Sequence, residues 1–242
     1  MKCSVMILAV MALMVSVASA ELVVLQDGRD GYTGAQDTAI YSGNDTNYGA
    51  HNNGAYQTHF ISWGGADYRS LFSWDLSAYA GSANGDATIT LWRDSQAPSQ
   101  NNSVDFYGVT ETWTEGAVNR STRDGSNAWA GGAMLGTPGA SASMTALLDS
   151  TGFTAGNTAS TLTIPAATVD TWLASGFASV MGIMPGQTNS NWGWYTKDSN
   201  QAGVTQERKP KLTLDVNLIP EPATWALLGL GSVLVLLGRR VT

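Results

Sequence analysis

Only one cysteine occurs in the 242 residues, Cys3, and it stands ahead of the first apolar run. That is too early for a lipoprotein cysteine, and beyond it no thiol remains for a disulfide, a zinc site or nucleophilic chemistry. Histidine is almost as scarce. His51 and His59 both fall in an Asn/Gly-rich stretch that reads as a surface loop. Only 13% of residues are charged. Between Glu21 and Ile219 nine basic residues face eighteen acidic ones, a formal charge of −9, which argues against a nucleic-acid partner and makes polyanions awkward ligands. There is no Gly-x-Ser-x-Gly elbow, phosphate loop or His-Glu-x-x-His, and no spacing pairs two carboxylates as a glycosidase requires. Internal repeats are absent and helical periodicity is rare. The chain therefore reads as non-enzymatic, with no cofactor required.

What is present begins with the two ends. Residues 1–20 have the layout of a signal peptide: Lys2, an apolar run from Val5 to Val17, and Ala18-Ser19-Ala20 as an A-x-A cleavage site. Cleavage after Ala20 leaves Glu21 as the new amino terminus. At the other end Pro220-Glu221-Pro222 stops any preceding strand, because neither proline can donate to a ladder. Ala223 to Gly238 follows without a charge, then Arg239 and Arg240. As a helix this run is about 24 Å long, enough to span a bilayer that thins or lets the arginines snorkel. The arginines assign their side to the cytoplasm and the bulk of the protein to the exterior.

This order of parts resembles a PEP-CTERM sorting signal. The resemblance implies processing by an exosortase near Pro220–Pro222, a membrane-anchored intermediate, and delivery to the cell surface or extracellular matrix. A plain tail anchor is the alternative. The expected division is thus 1–20 signal peptide, 21–219 body, and 220–242 sorting signal with a transmembrane helix.

The body reads as all-β, a sandwich or jelly roll. Period-2 alternation marks Ser70/Phe72/Trp74/Leu76, Ala87/Ile89/Leu91, Val104/Phe106, Leu162/Ile164 and Leu212/Leu214/Val216/Leu218. Leu22–Leu25 is a short strand ahead of the Gly/Asp-rich turns at 27–34. Val169, Trp172 and Leu173 predict one or two helical turns over a sheet end. The segment 130–160, rich in Gly, Ala, Ser and Thr, reads either as a long excursion or as a seam between sub-modules.

Several of these stretches together resemble the DNRLRE domain, a β-sandwich module related to carbohydrate-binding module family 96. The matching residues are Asp37-Thr38-Ala39-Ile40 with Ser42-Gly43 and Asn47-Tyr48-Gly49, then Arg69–Leu76, Ala87–Trp92, Val109–Glu115 and Arg208–Thr213. The hexapeptide that names the family is missing. The resemblance implies a non-catalytic module that binds polysaccharide. The residue-level alternatives are structural: Asn47-Tyr48-Gly49 as a turn, Trp113 as a core tryptophan, and Arg69 and Arg208 bonded to carboxylates such as Asp75 or Glu207.

A sugar ring needs a flat aromatic surface with amides and carboxylates beside it. Asn189-Ser190-Asn191-Trp192-Gly193-Trp194-Tyr195 offers that mixture. As a strand it would put Trp192 and Trp194 on one face and Tyr195 on the other, forming a platform or a piece of core. Trp63, in an expected loop, is a second candidate, and Arg69 and Arg208 are ligand arginines if not structural. Asp27 and Asp30 with loop carbonyls would make a calcium site, although the spacing is not that of an EF-hand. The function expected is an exported, non-catalytic protein binding a polysaccharide or exopolysaccharide matrix. One rival is a structural surface or biofilm protein without glycan specificity. Another is a lyase using His51 or His59 beside an Arg and a Tyr.

Overall fold

In the computed structural model the described residues are 19–48, 58–63, 66–93, 103–152, 158–185, 192–199 and 204–219. The apolar runs of both termini lie outside them, so the expected transmembrane helix and all of the expected signal peptide except Ser19 and Ala20 do too. No helix among the described residues is long and apolar enough to cross a membrane.

Among the described residues twelve strands form two antiparallel sheets. They are β1 (Ser19–Leu25), β2 (Ala35–Tyr41), β3 (Thr58–Trp63), β4 (Ala66–Asp75), β5 (Gly81–Ala83), β6 (Ala87–Trp92), β7 (Ser103–Val109), β8 (Met144–Gly152), β9 (Ala159–Ile164), β10 (Phe177–Ile183), β11 (Trp192–Tyr195) and β12 (Lys211–Leu218). The five-stranded sheet runs β1-β12-β6-β9, with β5 also on β12. The seven-stranded sheet runs β11-β3-β4-β10-β7-β8, with β2 also on β4.

Alternation does what it predicts in the five-stranded sheet. Ile89 and Leu91 of β6, Leu162 and Ile164 of β9, and Leu212, Leu214 and Val216 of β12 are fully buried. They meet Phe72, Trp74, Val104, Phe106 and Val180 of the other sheet in one core, which makes the two sheets a sandwich. Between these core residues the outer positions Thr88, Thr90, Thr161, Thr163 and Thr213 are at least partly exposed.

The seven-stranded sheet differs. Its second face carries Ile40, Leu71, Val109 and Met181, and these too are buried. Residues 110–143 fold over that face as a cap and contribute Trp113, Val118, Trp129, Met134 and Leu135 to a second core. Trp113 is therefore a core tryptophan, but in the cap layer. Its indole N–H donates to Ser179 Oγ at 3.0 Å. The expected one-sided strand at Ser70–Leu76 is correspondingly two-sided. The segment 130–160 divides into the end of this cap, strand β8 on β7, and the start of β9, so its first part is an excursion.

Helix α1 (Ala166–Ser175) buries Val169, Trp172 and Leu173, the three residues whose spacing announced it. It is ten residues long, more than the one or two turns expected. Asp86 accepts the N–H of Ala166 at its start, and Gly176, at φ 75°, ends it.

Candidate functional site

The tryptophan segment does form a strand, but not a platform. Trp194 is 0% exposed and Tyr195 2%. Trp194 packs in the main core 6.2 Å from the Phe106 ring, tilted by 52°. β11 pairs with β3, and its first residue shows why alternation misleads here: the register shifts between Trp192 and Gly193. With Trp194 and Tyr195 both enclosed, neither ring has a face to offer a sugar. The side chains of Trp192 and Trp63 lie outside what is described. Trp63 closes β3 opposite Ala66, at a strand end, where the sequence suggested a loop. His59 likewise sits within β3, opposite Trp194, and His51 lies outside the described residues.

The two arginines are engaged within the fold. Arg69 is 9% exposed and its Nη1 donates to the carbonyls of Met134 and Gly136, the second at 3.0 Å. These carbonyls are its prominent partners, where the sequence suggested a carboxylate such as Asp75. The reason is topological: Arg69 belongs to the cap-facing row of β4, and the cap turn brings carbonyls to it. Met134 and Leu135 in that turn have φ of 59° and 60°, a left-handed conformation unfavourable for side-chain-bearing residues. Arg208 lies 5.3 Å from the ring centroid of Trp92, a cation–π contact. Glu207 pairs with Arg29 at 3.3 Å.

Asp27 and Asp30 lie in the turn between β1 and β2. Asp30 is 3.7 Å from Arg29 Nε, and the Asp27 backbone carbonyl accepts from Gln206. Among the described residues no group of three or more acidic, histidine or cysteine side chains is gathered for a metal. Of the expected processing residues, Ala20 and Glu21 are part of β1, and Pro220, Glu221, Pro222, Arg239 and Arg240 lie outside the described residues. The strand before them ends at Leu218, where the prolines require it to.

An aromatic patch that sequence reasoning did not single out stands at the end of β2. Tyr41 and Tyr68 are opposite each other in the β2–β4 register. Cross-strand partners share a face, and the two rings stack with centroids 4.7 Å apart at 14°. The turn after Tyr41 returns Tyr48 edge-on to both, at 6.4 and 5.7 Å. Tyr68 is buried, and burial followed by its hydrogen bond to Tyr48 raises its hydroxyl pKa. Tyr41 and Tyr48 remain partly exposed.

Gly43 makes the arrangement fit, because a β-carbon there would collide with the Tyr41 ring. Asn44 closes the turn by accepting the N–H of Thr46 at 3.0 Å. Asp45 accepts from Ser121 at 2.7 Å, and Asn47 donates to the carbonyls of Glu115 and Val118. The turn is thus fastened to the cap, with Asn44, Asp45 and Thr46 exposed beside the rings. The expected local turn bond of Asn47 is replaced by these long-range bonds to the cap, and Gly49 lies outside the described residues. The one signal for the patch was Tyr41 before a Ser-Gly turn, and its partner Tyr68 required the strand register.

Behind the turn lies an ionic cluster. Lys197 Nζ reaches Glu115 at 3.2 Å and Asp198 at 2.9 Å, while the Lys197 backbone N–H donates to buried Asp37. It joins β2, the cap and the segment after β11. Burial opposes the Lys197 charge, but the hydrogen bond to Asp198 and the surrounding carboxylates outweigh it and hold its pKa above the usual value. Burial, and then the neighbouring Asp37, push Glu115 up to about 7 from 4.5. A carboxyl that holds its proton more tightly when folded contributes stability below about pH 4.5 and loses it as pH rises through about 7. Thermal unfolding from pH 4 to 8 should therefore show Glu115→Gln gaining on the native protein across that window. Parallel curves would place the titration elsewhere.

Comparison with known families gives two matches. Carbohydrate-binding module family 96 matches residues 30–143, and the PEP-CTERM protein-sorting motif matches residues 218–241. The first includes β2 to β7 and the whole of the cap, with Tyr41, Tyr48 and Tyr68. Trp192–Tyr195 and Arg208 fall outside it. No curated protein matches the chain.

Proposed function

Because this chain joins a carbohydrate-binding module of family 96 to a PEP-CTERM sorting motif, we propose that it is an exported binding protein that holds polysaccharide at the cell surface through the tyrosine patch. The observation carrying this reading is the Tyr41 and Tyr48 rings, partly exposed around buried Tyr68 and beside Asn44, Asp45 and Thr46. The rings supply apolar surface for the C–H faces of a pyranose, and the amide, carboxylate and hydroxyl bond its hydroxyls. The body's charge of −9 favours a neutral glycan over an anionic one. The role is binding, not bond cleavage.

Affinity gels of neutral polysaccharides should retard the processed protein. Replacing both partly exposed rings, Tyr41→Ala with Tyr48→Ala, should weaken binding by about tenfold or more, since each aromatic contact contributes on the order of 1 kcal/mol. Undiminished binding by a folded double variant would move the site elsewhere. Runs with calcium and with chelator test the turn at Asp27 and Asp30. A second reading, a structural surface or biofilm protein, draws support from the burial of Trp194, Tyr195 and Arg69. No retardation of the native protein in either condition would favour it.

A further inference from the structure

The two ends of the body leave it at one place. β1 and β12 are antiparallel neighbours, with Ser19 opposite Leu218 and Ala20 opposite Asn217. On its other side the end of β12 is held by β5, Leu218 opposite Gly81 and Val216 opposite Ala83. Ile219 still donates its N–H to Ala80 at 2.8 Å. The next residue, Pro220, has no N–H to give. From Ile219 to Ala223, where the apolar run begins, an extended chain reaches at most about 14 Å. The leader's apolar run ends at Val17, about 7 Å of extended chain before Ser19.

Both hydrophobic segments therefore start close to a single rung. A precursor holding both in lipid would have this end of the sandwich against the bilayer. Three large apolar side chains are exposed among the described residues; Ile219, at 58%, follows directly on this rung, and Leu22, at 68%, stands opposite Asp215 farther along the same ladder.

The expected leader cut falls inside the ladder, immediately after the rung formed by Ala20. While Ser19 and Ala20 are present, Asn217 and Leu218 are held from both sides. Once they are gone, β5 alone holds them. Proteolysis acts on locally opened chain, so the rate of a cut beside Leu218 follows how easily this end of β12 opens. We propose that the β1–β12 ladder sets the order of the two processing cuts: removal of the leader strips Ser19 and Ala20 from β12 and so frees its end for the cut at Pro220–Pro222. The inference rests on the reading of the tail as a processed sorting signal.

The test is a pulse-chase of the full chain in an exosortase-bearing bacterium, with both termini followed by mass spectrometry. Ala20→Leu blocks the leader cut while leaving β1 able to pair. It should slow the carboxy-terminal cut by about tenfold or more, the factor that one net hydrogen bond of about 1.4 kcal/mol represents. Adding Ser19→Pro to Ala20→Leu puts a strand-breaking proline at the outermost rung, opposite Leu218, and should restore the cut to within about threefold of the native rate. A carboxy-terminal cut of native speed in Ala20→Leu overturns the proposal. So does a slow cut that Ser19→Pro fails to rescue, since a retained leader would then hinder processing by itself. A native chain never cut at its tail would instead refute the sorting reading beneath it.

Discussion

Trp194→Ala should lower the stability of the sandwich by about 3–5 kcal/mol, the usual range for emptying a core of a large aromatic. The ring is wholly buried and borders Phe106 in the cluster where the two sheets meet. Against a total of about 5–15 kcal/mol this is a large fraction, and in a domain of this size it lowers Tm by roughly 10–15 °C. Urea unfolding with an unchanged m-value would identify the loss as stability. The variant that remains folded at low temperature should still bind glycan as the native protein does. The converse outcome, binding abolished with Tm within a degree or two of native, would return Trp194 to the binding surface. Any binding assay that replaces this tryptophan must therefore report the folded fraction first.

Arg69→Met should cost about 3 kcal/mol, and the loss should be local. The substitution keeps the apolar stem and removes the guanidinium that satisfies the carbonyls of Met134 and Gly136, each bond from a charged donor counting for about 1.5–3 kcal/mol. It also releases a turn held in left-handed φ at Met134 and Leu135. Hydrogen exchange should then quicken across residues 110–143 while the β1–β12 and β6–β9 ladders keep their protection. Uniform acceleration over both sheets would show that cap and sandwich unfold as one unit. Glu111 is the control within the same layer. It accepts from Ala130 and Ser143 and faces Arg123, so Glu111→Gln, which retains an acceptor, should open the cap less.

These two residues show what the sequence could and could not reveal. Strands covered on one face were readable, because Ile89, Leu91, Leu212 and Leu214 alternate with threonine, lysine and aspartate. α1 was readable from three residues. The strands β3, β8 and β10 were not, and β11 was read only conditionally. β10, Phe-Ala-Ser-Val-Met-Gly-Ile, has no polar face to announce it, because core lies on one side and cap on the other. Arg69 resembled a ligand residue for the same reason: nothing local says that a loop 65 residues later returns to cover it. Trp194 was ambiguous because a tryptophan beside asparagine and glycine has the composition of both a sugar platform and a strand end. The tyrosine patch was hidden by register. Tyr41 and Tyr68 are 27 residues apart and become partners only when β2 lies along β4.

The pairing of the first strand with the last also has a kinetic side. β12 lies between β1 and β6 and contributes Leu212, Leu214 and Val216 to the main core. Until it arrives, β1 has no neighbour in its sheet and β6 lacks one of its two. A loop of nearly the whole chain must then close, which makes the final step slow by contact order. The five-stranded sheet therefore cannot be completed from the amino-terminal side as the chain emerges. A polypeptide threading outward through a membrane pore, leader first, would remain unfinished until its last strand had crossed. On the proposed export route this topology would act as a delay, with the sandwich closing only after its last strand has crossed.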